Sequence, residues 1–83
     1  MDISIEMVVF PNPATDFVKL RIKNYDIQNL RYQLYDINGS LLQDNKVESN
    51  ETSITMGNYV SATYFLKVSD NYKVVKAFKI IKH

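Results

Sequence analysis

A chain of 83 residues with a formal net charge of +1 and no cysteine has room for one core, with no disulfide to staple it and no thiolate to react. So little net charge excludes nucleic acid and anionic membrane as partners chosen by bulk electrostatics. No apolar run approaches the roughly 20 residues of a membrane span, so no direct membrane insertion is expected.

The opening MDISIE lacks a basic segment followed by an apolar one, so it does not read as a signal peptide, and Met1 reads as the start of a fragment. IEMVVF is a first short strand. It runs into FPNPATDF, Phe10 to Phe17, which holds both prolines of the chain. Pro11 and Pro13 lack a backbone donor and restrict the residues before them, so neither fits a central strand. Asn12 and Asp16 stabilise turns. The stretch is therefore expected to be a rigid corner carrying the chain from one sheet to the other.

Beyond the corner, Val18, Leu20 and Ile22 alternate with Lys19, Arg21 and Lys23, the pattern of a strand with one face in the core. The window from Tyr25 to Arg31 is too short and polar for a helix. Leu30, Tyr32 and Leu34 share one face of the next strand, and Arg31, Gln33 and Tyr35 the other. Asn38-Gly39 predicts a tight hairpin, since both residues tolerate positive φ. SLLQDNKV and ETSITM are short strands on either side of the polar loop from Glu48 to Glu51.

NYVSATY, Asn58 to Tyr64, forms a second corner. Tyr64 is placed either to bond backbone a few residues upstream, as in a tyrosine corner, or as a core tyrosine with its hydroxyl at the surface. Tyr64, Leu66 and Val68 then alternate with Phe65, Lys67 and Ser69, and Asp70-Asn71 offers another turn. In the last strand Val74, Phe78 and Ile80 share a face with Lys76, while Val75, Ala77 and Ile81 take the other. About seven strands, with turn signals every 8–12 residues, predict an all-β, immunoglobulin-like antiparallel sandwich over a single domain, 1–83. Its expected core is Val18, Leu20, Ile22, Leu34, Tyr64, Leu66 and Val68.

The inventory for chemistry is thin. The single histidine, His83, is the last residue, and no serine or threonine has a histidine base nearby in sequence. Asp26, Asp36 and Asp44 stand where turn-stabilising acids stand. DING, Asp36 to Gly39, echoes part of a calcium loop without its remaining ligands. NGS at Asn38 and NET at Asn50 match a glycosylation pattern that arises often by chance. These residues predict no enzyme, no metal and no cofactor. The lysines of the last strand fit the solvent face of an edge, where lysine discourages aggregation. At an edge, backbone groups can pair with a partner strand, and Lys79 and Lys82 can meet an acidic surface. An alternative function is a carbohydrate- or protein-binding module using Tyr25, Tyr35, Phe65 or Tyr72 as an aromatic platform.

Four ordered blocks carry a more specific signal: FPNPATDFVKLRI, YQLYDINGSLL, ITMGNYVSATYFLKV and KAFKIIKH. Together they resemble the type A C-terminal sorting domains of the type IX secretion system, also called the Por secretion system. The family's motif positions correspond here to Pro11, Asn12, Pro13, Asp36, Gly39 and Tyr64. Tyr59 stands where the family usually has leucine, and Ala62 where it usually has glycine. The resemblance implies a tag at the C-terminal end of a larger secreted protein in a Gram-negative bacterium. Such a tag passes through the periplasm and reaches the cell surface or the medium. Its implied partners are an outer-membrane shuttle β-barrel and a sortase-like peptidase that removes it. The resemblance also makes the C-terminal end the part that is read, here Lys76, Lys79, Ile80, Ile81 and Lys82. Residues from Lys79 onward are expected to carry more of the address than of the stability.

Overall fold

The computed structural model describes residues 6–83. The opening MDISI, with the first residue of the IEMVVF strand and most of the stretch judged for a signal peptide, lies outside the described residues. Seven strands follow in order: β1 (Glu6–Phe10), β2 (Phe17–Lys23), β3 (Leu30–Tyr35), β4 (Leu41–Lys46), β5 (Glu51–Thr55), β6 (Ala62–Asp70) and β7 (Lys73–Lys82). They form two antiparallel sheets, β1-β2-β5 and β4-β3-β6-β7, and the described residues include no helix. This is the seven-stranded immunoglobulin-like sandwich that the alternation predicts.

Period two sorts the side chains. On β2, Val18, Leu20 and Ile22 are buried; on β3, Leu30, Tyr32 and Leu34; on β6, Tyr64, Leu66 and Val68. These faces meet in one core with Met7, Ala14, Val47, Ile54, Met56 and Ile80. Burying this apolar surface is the main force holding so small a domain together, at roughly 25 cal/mol per Å². No buried side-chain polar atom among the described residues lacks a partner.

Three expectations change. FPNPATDF does not move the chain between sheets: β1 and β2 pair with each other, Phe10 opposite Lys19. The crossings lie at residues 24–29, 47–50 and 56–61. At Asn38-Gly39 only Gly39 has positive φ, at 85°. The turn is a four-residue one in which the Gly39 N–H donates to the Asp36 carbonyl at 3.0 Å. Asp36 Oδ1 accepts the N–H groups of Asn38 and Ser40, both at 2.9 Å, so the aspartate anchors the turn and the glycine closes it. Finally, Val74 and Val75 exchange places. Val68 pairs with Lys76 but Ser69 pairs with Val74, so Val75 is an extra residue in β7. A bulge of this kind inverts the alternation, which leaves Val74 exposed and turns Val75 onto the core.

Candidate recognition site

The free edge of β7 is where the first and last blocks of the sequence meet. Asn12 Nδ2 donates to the Lys79 carbonyl at 2.9 Å, and Asn12 Oδ1 accepts the Ile81 N–H at 3.0 Å. Two residues on, the Ala14 N–H donates to the Ile81 carbonyl at 2.7 Å, and the Ala14 carbonyl accepts the His83 N–H at 2.9 Å. Ala14 and Lys82 form a parallel bridge. The side-chain amide of Asn12 thus acts as a peptide unit, and the corner becomes a short mock strand on the edge of the second sheet. The prolines suit this role. They supply no competing N–H, and their fixed φ holds the loop in an extended course on either side of Asn12. Both bonds, Phe10-Pro11 and Asn12-Pro13, are cis.

The other motif positions are structural supports around this end. The Tyr64 hydroxyl donates to the Val60 carbonyl at 2.7 Å, the geometry of a tyrosine corner. Tyr59 packs its ring 5.5 Å from that of Tyr64, and its hydroxyl accepts Gln43 Nε2 at 2.9 Å, so a tyrosine fills the leucine position and adds a tie to β4. Ala62 does not have positive φ, so the missing glycine costs no backbone strain. Asp36 and Gly39 make the turn after Tyr35, which pairs with Phe65, itself paired with Lys79. That row brings the turn to the same end of the sandwich, but across the sheet from the corner.

Of the terminal residues, Lys79 is exposed and Ile81 is 42% exposed. Ile80, opposite Tyr64, is 0% exposed and belongs to the core. Lys82 is half-buried, its Nζ 2.7 Å from the His83 carbonyl. Lys76 lies further back, opposite Val68, with its Nζ 5.8 Å from the Phe78 ring centroid. Residues 79–83 therefore supply a buried side chain and four bonds to the corner, and they carry stability as well as any address. Ala14, fully buried, is the participant that sequence reasoning missed, because a lone alanine after a proline carries no signal for a bridge to a residue 68 positions away.

Of the four aromatic residues considered as a platform, Tyr35 and Phe65 are cross-strand partners on the outer face of the four-stranded sheet. Tyr35 and Tyr72 line one groove of about 550 Å³ on the outer face of the four-stranded sheet. Lys67 Nζ stands 5.0 Å from the Tyr35 ring centroid, and a hydrogen-bonded chain of Ser69, Gln33, Asp44 and Arg31 runs along the same face. Tyr25 lies elsewhere, its hydroxyl donating to Asp70 Oδ2 at 2.6 Å. That carboxylate holds the phenol above its ordinary pKa, with burial adding to the effect. The other perturbed group is Glu51, held below the usual carboxylate range first by Lys19 and then by Arg21. Among the described residues no three acidic or histidine side chains converge to hold a metal.

A strand edge, turn anchors and exposed lysines are what this immunoglobulin-like sandwich presents at the end where its two terminal blocks meet. The chain belongs to the family described as the secretion system C-terminal sorting domain, which it matches over residues 8–83. That family is not an enzymatic one; it marks bacterial proteins for type IX export to the cell surface or medium. No curated protein and no solved structure matches the chain.

Proposed function

We propose that the chain is a single sorting domain at the C-terminal end of a larger secreted protein of a Gram-negative bacterium. Folded in the periplasm, it directs its cargo across the outer membrane. An outer-membrane shuttle β-barrel binds it, and a sortase-like peptidase then removes it. The observation that carries this reading is the joining of the Pro11–Pro13 corner to residues 79–83, which makes one composite surface from the two ends of the family pattern. On that surface Lys79 and Ile81 present side chains, Asn12 positions backbone, and Ile80 anchors the strand from within.

Because Ile80 is in the core, ending the chain at Phe78 would test folding rather than recognition. The informative variant is Lys79→Glu with Ile81→Ser, which changes only side chains that reach solvent. It is fused to a reporter carrying a periplasmic signal peptide, in a host with the type IX system. The unaltered domain should bring the reporter to the surface or medium. The double variant should keep its thermal midpoint and leave the reporter in the periplasm. Equal export of both would remove the C-terminal end from the address, whereas failure of both would leave the binding module as the better reading.

A further inference from the structure

Strand β7 closes the four-stranded sheet, so one row of its backbone groups faces away from β6. The register identifies that row. Phe78, Ile80 and Lys82 stand opposite Leu66, Tyr64 and Ala62, whereas the groups engaged by the corner belong to Lys79, Ile81 and His83. By the same parity, the Lys79 N–H and both backbone groups of Ala77 point outward along the edge. The corner, ending its contacts at the Lys79 carbonyl, does not extend to them. It covers the last part of the edge and leaves the part before it open.

Charge says what can lie there. Lysine recurs at 73, 76, 79 and 82, and no acidic residue stands between Asn71 and His83. A second copy of β7 laid along this edge would set lysines against lysines, which is unfavourable between neighbouring strands, so self-pairing is discouraged. A strand bearing carboxylates would gain both main-chain bonds and cross-strand charge pairs.

We propose that the β7 edge is a strand-addition site for an extended acidic segment of a partner, and that the Asn12–Ala14 corner is the latch this segment displaces as it grows toward the C-terminus. The proposal rests on the sorting reading for its setting, but the binding is testable without it. The latch lowers apparent affinity by the fraction of molecules in which it is closed, so opening it should tighten binding.

The 83-residue chain is titrated, amide by amide in NMR, with a synthetic peptide of alternating glutamate and valine and with a lysine–valine peptide as its counterpart. The glutamate peptide should shift and protect the amides of Ala77 and Lys79, and the lysine peptide should leave them unchanged. Asn12→Ala frees the Lys79 carbonyl and the Ile81 N–H. Exchange at Ile81 should accelerate, and the glutamate peptide should bind about tenfold tighter. Should that variant fail to fold, Asn12→Ser, too short to bridge Lys79 and Ile81, gives the same comparison. Lys79→Glu, with the latch intact, should weaken the glutamate peptide about tenfold. Equal binding of the two peptides, unchanged affinity when Ile81 exchanges faster, or a dimer in sedimentation would each overturn the proposal. No export machinery is present in this assay. Its failure therefore leaves the sorting reading standing, and normal peptide binding beside a reporter that the unaltered domain fails to export would count against the sorting reading alone.

Discussion

The Tyr64 hydroxyl reaches back four residues to the Val60 carbonyl, 2.7 Å away, and so closes the crossing from β5 to β6. Its ring is buried and stays packed on Tyr59 whether or not the hydroxyl is present. Tyr64→Phe should therefore remove one hydrogen bond and little else, at a cost of about 0.5–1.5 kcal/mol. A urea midpoint equal to that of the unaltered chain would show that the bond does not contribute.

Adjacent residues of β6 should differ sharply. Leu66 is fully buried between the sheets, and Leu66→Ala should cost about 2–5 kcal/mol, a large share of the stability of so small a domain. Phe65, 37% exposed on the outer face, should cost roughly 1 kcal/mol or less on truncation to alanine. Equal losses in chemical denaturation would mean that the outer face is also packed in solution.

The turn joining β6 to β7 holds a residue in an unfavoured conformation. Asn71 and Tyr72 have φ of 48° and 72°, and Tyr72 is 100% exposed. This is the two-residue hairpin that favours asparagine followed by glycine. A tyrosine there bears the left-handed penalty of roughly 1–2 kcal/mol, which glycine avoids while losing more entropy on folding. Tyr72→Gly should stabilise the domain by up to about 1 kcal/mol in thermal denaturation. A lower midpoint would show that the exposed ring has a stabilising contact.

Glu51 gives a pH dependence of known sign. Lys19 and Arg21 depress its folded-state pKa, so the folded chain holds the carboxylate more firmly than the unfolded chain does. Its contribution is present above the ordinary carboxylate value and is lost as the pH falls through the lower, folded-state one. The pairs are solvent-exposed, so the effect is small and screened by salt. In Glu51→Gln, stability should fall less steeply on acidification below roughly pH 4.5 than in the unaltered chain. Added salt should narrow the gap. Parallel profiles at low salt would contradict the assignment.

Much of this protein was legible along the chain. The faces of β2, β3 and β6 follow from strict alternation, because side chains of an extended strand point to opposite sides and a sandwich buries one of them. The corner at Pro11 and Pro13 follows from missing donors and fixed φ, and the Tyr64 bond spans only four residues. Other features depend on partners far away in sequence. The bulge at Val75 arises from pairing with β6, and one extra residue is enough to exchange the two sides of the strand. Asn12 looks like a turn residue because its local propensity is that of one. Its actual partners, Lys79 and Ile81, are 67 and 69 residues away, and only the packing of one sheet against the other brings them within hydrogen-bonding distance. The resemblance groups Ile80 with the lysines because it makes the C-terminal end the part that is read, although alternation also sets Ile80 on one face with Val74 and Phe78. The tertiary structure turned it inward, since alternate residues of an edge strand still face the core even when its backbone faces solvent.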